Sequence, residues 1–593
     1  MRKTFLKVVC VFLIPTVVLS IAPTENAHGV IVKYRNANKT GYKTRDQLNQ
    51  QMQTSLVYRP KRSPYDVVLP KSTDMQHDFK ELAKLCEGFQ KNPAVAECEI
   101  NYDLFARNEA PAPASLEAPA PACELTQYNT AQALRDGALS PFWAQELSGL
   151  DLAAFPRNAA KMGVAVKVAV LDQGFGELPA ALKSKFTASV MPSAQPTNHG
   201  AMTLGLLTGP IPYSIQAPLE ISHLFEVRTT ADYLRVMEAL EDSKQTPTVI
   251  HISVGLGHTS NAVRDVMKRM AAKSLLVGAA ANDWPSETER NEKEFPGMLV
   301  GSLSPEGYPT ENSGVMSAVT ISVPSDRYLV STADGKTPAA FGGTSAASAI
   351  VASVVAAARS LVPDLTQEEI KEIFATTGMP TPAGRVGANG YAGLNAVQFL
   401  AVVDRIRSQG LAGKARDKSI TAGSTGRLYQ FEKEAEVELT RALPVMEDPA
   451  ATCEARKMAY AQLRRAFFLQ PSGKAAPALA KALMSQGLTS NARYVENMER
   501  KGMTAHLGED IVSSDSSVRV GAARVAGWMG IDGIDLVMKF AEMNSRNPAS
   551  EGAAAISTQD AIHAIAASMP EDARNALNQR LRAAGGDLEK MAK

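Results

Sequence analysis

Three patterns of apolar and polar positions follow one another along the chain. Between residues 30 and 106, short apolar runs alternate with amphipathic stretches. Residues 30–34 (Val-Ile-Val-Lys-Tyr) and 65–69 (Tyr-Asp-Val-Val-Leu) read as strands, and 44–56 as a polar segment with helically spaced apolar residues. Residues 78–85 have helical spacing, and 92–100 turn and end as a strand. That βαβαβ order predicts a small α+β open-faced sandwich. From 123 to 408, near-continuous apolar runs at 164–171, 249–254 and 274–281 alternate with helical segments. Such runs suit strands covered on both faces, so this region predicts an α/β domain on a parallel sheet. From 428 to 593 the spacing is helical throughout, with Val518, Ala522, Val525, Ala526 and Met529 on one face, and predicts an all-α domain.

Composition marks the joints. Residues 107–122 are rich in Ala and Pro, an extended linker exposed to proteolysis. Residues 409–427 are polar and glycine-rich and read as a second linker. Residues 1–29 begin with Arg2, Lys3 and Lys7 followed by an apolar run over 8–22, the pattern of a secretory signal peptide. Pro15 interrupts the run, which is short for a membrane span. The expected address is secreted, periplasmic or otherwise extracytoplasmic. Sixty-two basic residues balance 61 acidic ones with no long basic run, so nothing points to nucleic acid as a partner. Of five cysteines, Cys10 lies in the signal, leaving Cys86, Cys98, Cys123 and Cys453. Four cysteines allow three pairings, and four free buried thiols are an equal alternative. His223, His251 and His258 stand at no metal-ligand spacing, so no zinc site is expected.

Candidate chemistry centres on Gly342-Gly343-Thr344-Ser345-Ala346-Ala347, followed by small apolar residues to 358. A glycine turn delivers Ser345 to the start of a helix buried all round, where unpaired backbone N–H groups can receive an oxyanion. Helix capping alone is the bland reading of Gly-Thr-Ser. Asp172 and Asn282 close two of the predicted strands, where side chains of open α/β sheets gather at their sites. His199, before Gly200, opens another small-residue helix, in which close packing would explain Gly205. Amide hydrolysis by serine needs a nucleophile, a base, an acid to orient the base, and an oxyanion donor. Ser345, His199, Asp172 and Asn282 provide one of each.

The blocks Val170-Leu171-Asp172-Gln173-Gly174, Asn198-His199-Gly200, Ala279-Ala280-Ala281-Asn282 and Gly343-Thr344-Ser345-Ala346-Ala347 resemble, in order and spacing, those of subtilisin-like serine peptidases. The resemblance covers about 30–408. It implies Ser345 as nucleophile, His199 as general base, Asp172 as its orienting acid, and Asn282 as oxyanion donor. Ser253-Val254-Gly255 resembles the strand that pairs with substrate backbone, and residues 30–106 the inhibitory propeptide of a self-inhibited precursor. The substrate would be protein or peptide. Cofactors are not expected, save a structural calcium on family resemblance alone. Gln173, Ala201, Ala281 and Ala349 depart from the family pattern and mark a divergent member. Residues 515–523, and more weakly 448–456, resemble the start of a HEAT-type helical repeat, implying a protein partner for the helical domain. Two rival readings remain: a catalytically weak or inactive binding protein on this scaffold, and a serine-carboxyl peptidase of the sedolisin kind. His199 in the His-Gly block weighs against the latter.

Overall fold

A computed structural model describes residues 27–35, 42–59, 64–72, 78–102, 123, 125, 143–152, 164–176, 178, 199–208, 219–243, 246–254, 261–282, 284, 295–310, 313–314, 318–325, 328–331, 338–379, 392–421, 427–471, 473–498, 503–546 and 557–592. Most of the signal segment, the whole Ala/Pro linker over 107–122, and Gly255 lie outside the described residues.

The N-terminal unit contains β1 (Ala27–Tyr34), α1 (Tyr42–Gln51), β2 (Thr54–Tyr58), β3 (Tyr65–Pro70), α2 (Phe79–Gln90) and β4 (Val95–Tyr102). Its sheet runs β2-β3-β1-β4, with antiparallel neighbours and Val30 opposite both Val68 and Ile100. Val30, Val32, Leu48, Val68, Leu82 and Phe89 form its core. Asp78 caps α2 by accepting from the N–H groups of Lys80 and Glu81, and a Cys86–Cys98 disulfide joins α2 to β4. The order is therefore βαββαβ rather than βαβαβ. The expected helix over 44–56 stops at Gln51, because Gln53 turns at φ 52° and Thr54 then enters a strand. On that strand Leu56 and Val57 lie exposed.

The second unit holds the larger sheet. In order come α3 (Trp143–Ser148), β5 (Val166–Asp172), α4 (His199–Thr208), β6 (Leu219–Glu226), α5 (Thr230–Asp242), β7 (Val249–Ile252), α6 (Asn261–Ala271), β8 (Leu275–Ala279), β9 (Met298–Leu303) and β10 (Val319–Pro324). A hairpin of β11 (Tyr328–Ser331) and β12 (Pro338–Phe341) leads into α7 (Gly343–Leu361), then α8 (Gln367–Thr377) and α9 (Ala396–Ser408). The six strands are parallel in the order β10-β9-β8-β7-β5-β6. The chain leaves β5 for β6 on one side and returns to β7 on the other. This switch of direction opens a crevice at the C-terminal ends of β5 and β7. Helix α7 packs against β5, β7, β8, β9 and β10. Its length and composition would suit a membrane, but 94% burial of its apolar window explains them as core packing.

The same unit continues through α10 (Gly413–Thr421), α11 (Arg427–Glu447), α12 (Cys453–Leu469), α13 (Ala475–Ser485), α14 (Thr489–Met498), α15 (Met503–Asp510), α16 (Ser516–Trp528), a 3-10 turn (Gly530–Gly533), α17 (Ile534–Arg546), α18 (Thr558–Ser568), α19 (Glu571–Ala584) and α20 (Gly586–Lys590). The linker expected over 409–427 is corrected in part, because α10 occupies Gly413–Thr421. What orders that polar stretch is tertiary pairing: the Arg416 guanidinium donates to Asp364 at 2.7 Å and to Glu369 at 3.4 Å. The helices also bind the sheet region directly. Asn395 and Gln398 donate from their amides to the carbonyl of Phe468, and a Cys123–Cys453 disulfide closes a separation of 330 residues.

Candidate active site

The crevice at the switch point collects the expected side chains. Asp172 ends β5 fully buried, and its Oδ1 accepts the N–H of Gln173 at 2.7 Å. The same Oδ1 lies 2.5 Å from Nδ1 of His199, the first residue of α4. The His199 ring is 18% exposed, so one edge reaches solvent while the other is held by a buried carboxylate. Gly200 explains how α4 starts so close to β5. A Cβ there would sit 2.5 Å from the Gly174 carbonyl, to which the Gly200 N–H donates at 2.7 Å. Gly205 carries no such constraint: a Cβ there meets nothing within 4 Å, so close packing does not account for it.

Ser345 is the third residue of α7, buried, behind a turn in which Gly343 adopts φ 64°. Its hydroxyl donates to the Ser253 carbonyl at 3.1 Å. Asn282 follows β8, and its Oδ1 accepts from the Thr344 N–H and from the Thr344 hydroxyl, both at 3.0 Å. With the amide oxygen taken by Thr344, the amide NH2 is the donor this side chain retains. Ala281, before it, adopts φ 65°, the left-handed region that glycine enters without cost. The strain is about 1 kcal/mol or more and must be held by neighbours. The Ala281 carbonyl accepts from the Gly314 N–H and the Thr344 hydroxyl, each at 3.1 Å.

Ser253 and Val254 lie where β7 ends, both buried. Their backbone groups are largely used within the fold: the Ser253 N–H donates to Leu171, and the Val254 carbonyl accepts from the Tyr233 hydroxyl at 3.3 Å. The expected substrate-pairing residue beyond them, Gly255, falls outside the described residues.

Several residues at the site carried no sequence expectation of their own. Phe341 sets its ring edge-on to His199, centroids 5.1 Å apart. Thr344 fixes Asn282 with two donors, and its place inside the Gly-Thr-Ser block was the available signal. His251 lies fully buried in β7, with Nε2 2.9 Å from Ser348 Oγ, and that hydroxyl donates to the Ser345 carbonyl. Burial pushes the His251 imidazole down to about 4, so it is neutral behind the serine. Burial, with Asp172 nearby, holds the Tyr233 hydroxyl well above its ordinary range.

Comparison with known proteins gives a family match over part of the chain. Residues 222–398 match the model of Peptidase S8, the subtilase family, a span that includes Asn282 and Ser345 and begins after His199. The chain is 24% identical over 232 residues to Subtilisin NAT of Bacillus subtilis subsp. natto, and equally to Subtilisin J of Geobacillus stearothermophilus. Each match covers 36% of this chain and 61% of the relative, so the chain spans less than two thirds of their length. Among solved structures, fervidolysin from Fervidobacterium pennivorans, a keratinolytic enzyme related to subtilisin, aligns with TM-score 0.45 and 15% identity, over 64% of this chain and 62% of that one. The A-subunit of the AB5 toxin from E. coli aligns with TM-score 0.35 and 21% identity, over 44% and 99%. Residues 222–398 thus match a subtilase-family domain.

Proposed function

We propose that this subtilase domain is a serine endopeptidase. Ser345 attacks the scissile carbonyl. His199 takes the proton through Nε2 and returns it to the leaving amine. Asp172, at Nδ1, fixes the tautomer and stabilises the imidazolium. The Asn282 amide and the Ser345 N–H at the start of α7 receive the oxyanion. The observation that carries the reading is the 2.5 Å contact of the fully buried Asp172 with His199, whose ring keeps 18% exposure, near Ser345 and Asn282. The chain is further proposed to be exported as a precursor. Residues 30–106 would inhibit until cleavage near the Ala/Pro linker, and the C-terminal helices would take a protein partner. Two disulfides support an oxidising compartment.

Labelling with a fluorophosphonate, located by mass spectrometry, tests the reading. The adduct is expected on Ser345 of linker-cleaved protein and absent from Ser345→Ala, which also loses peptide hydrolysis. Loss of the Asn donor is a magnitude already measured in a subtilisin, and so no inference from this geometry: about 10²–10³ in kcat. The second reading, binding with little or no catalysis, is favoured by the Ser345 hydroxyl donating to Ser253. Folded, linker-cleaved protein that takes no label would establish it over the first.

A further inference from the structure

A buried arginine of the C-terminal helices reaches toward the segment that carries Asn282. Arg524 of α16 is 2% exposed. Its guanidinium donates to the Thr310 carbonyl at 3.1 Å and to the Gly314 carbonyl at 3.4 Å. Its charged carbon stands 4.3 Å over the ring of Trp284, itself buried two residues beyond Asn282, and 6.0 Å from the ring of Trp528. Gly314 in turn donates its N–H to the carbonyl of Ala281. The arginine therefore reaches Ala281 through Gly314 and Trp284 through its ring face.

The other contacts hold the segment around residues 306–309, next to the Thr310 carbonyl that Arg524 also meets. Gly521, one turn before Arg524, lies so close that a Cβ would stand 2.6 Å from the Pro309 carbonyl and 2.8 Å from the Tyr308 Cβ. The Tyr308 hydroxyl donates to Asp510 at 2.7 Å, and the Asn497 amide donates to the Glu306 carbonyl at 2.9 Å. Ala281 needs such support. A non-glycine residue in the left-handed region persists only where its surroundings over-determine it. Relaxing that residue rotates the Asn282 peptide, and with it the donor.

We propose that Arg524 is a positioning residue of the peptidase site: the helical region braces the strained Ala281–Asn282 turn and holds the oxyanion donor in register. The assignment rests on the function proposed above, but the brace can be measured without it. A planar guanidinium over an indole and between two carbonyls suits the task, since it delivers several fixed donors and a stacking face at once.

The test uses full-length, linker-cleaved chain with Arg524→Met, which keeps the stem and removes the donors, and Arg524→Lys, which keeps the charge. In a Ser345→Ala background, hydrogen exchange is followed at residues 280–284, with the β7 amides as internal control. Arg524→Met is expected to speed exchange there at least about tenfold and leave β7 unchanged. In the active chain, kcat on a chromogenic peptide is expected to fall about tenfold with KM within about twofold, and Arg524→Lys to recover part of it. Because Arg524 acts through Asn282, adding Arg524→Met to Asn282→Ala should cost little more than Asn282→Ala alone. Unchanged exchange at 280–284, or losses that multiply in the double variant, would overturn the proposal. Where Arg524→Met does not fold, the same comparisons are made on Arg524→Lys. An unlabelled Ser345 with no hydrolysis would defeat the peptidase reading, while the exchange arm still decides the brace.

Discussion

Two buried arginines fasten the C-terminal helices to the sheet region, and they are satisfied by different chemistry. Arg464 of α12 meets a carboxylate: its two terminal nitrogens reach Asp151 at 2.6 and 2.8 Å, and one also donates to the Glu146 carbonyl. Arg524 of α16 meets carbonyls and indole rings. A bidentate ion pair is strong and geometrically fixed, and losing one partner strands the other's charge. Carbonyl and ring contacts are individually weaker, but they sit on backbone whose conformation matters at Asn282. The first arginine is suited to holding a domain on, the second to holding a loop in shape. Stability and turnover should therefore separate when the two are altered.

The largest expected effect breaks the comparison at Arg464. Arg464→Met leaves Asp151 half-buried without its cation and should cost about 3 kcal/mol of stability. Urea unfolding of the chain in a Ser345→Ala background, which prevents self-digestion, measures it. Folded Arg464→Met should keep its kcat, the reverse of the pattern expected for Arg524→Met. Equal losses of kcat at both sites would mean that the helical region acts as one rigid support and that the two contacts are not distinct.

Acidity sharpens the contrast next. Burial pushes the Glu146 carboxyl up to about 7, against the opposing pull of Arg464 and with Asp151 adding to the rise. The folded chain thus keeps a proton that the unfolded chain gives up near its ordinary value of 4.5. Stability from this group is complete below that value and is lost as pH rises through about 7, by up to about 3 kcal/mol. His251 has the opposite sign. Its imidazole is held down at about 4, so stability falls as pH drops from 6.5 toward that value. The carbonyls and rings around Arg524 have no proton to lose. Urea midpoints at pH 5 and pH 8 should differ less in Glu146→Gln than in the parent. A parent no less stable at pH 8 once His251 is replaced by Asn would show that the Arg464 anchor does not titrate.

How far these features were legible depends on where their cause lies. Asp172 and Asn282 were visible because near-continuous apolar runs, which only a doubly covered strand needs, stop at them. Ser345 was visible because a helix of Ala, Ser and Val can be buried on every side. Other features depend on distant partners. The polar, glycine-flanked stretch of α10 has no strong period of its own and is ordered by Arg416 reaching Asp364 and Glu369. The edge strand β2 has ambiguous apolar spacing that suits a helix as well, and the turn at Gln53 gives no composition signal. Arg524 shares α16 with Arg519, and arginines among small apolar residues of a helix read as its solvent side. Its carbonyl partners lie 210 and 214 positions earlier in the chain.

The smallest effect comes from two glycines of neighbouring helices in the same region. Gly521, in α16, has no room for a methyl group against Pro309 and Tyr308, whereas at Gly508, in α15, a Cβ meets nothing within 4 Å. Helix propensity favours alanine at both positions by roughly 0.5–1 kcal/mol. At Gly508 that gain should appear as added stability with unchanged kcat. At Gly521 overpacking costs about 1–3 kcal/mol and outweighs it. The clash also pushes α16, with Arg524, away from residues 308–314. Gly521→Ala should therefore lower kcat in the manner of Arg524→Met, and the two changes together should lose less than the product of their separate losses. Should Gly521→Ala stabilise the chain as Gly508→Ala does, the close approach of α16 to the loop would be wrong. The division between an anchoring arginine and a shaping one would go with it.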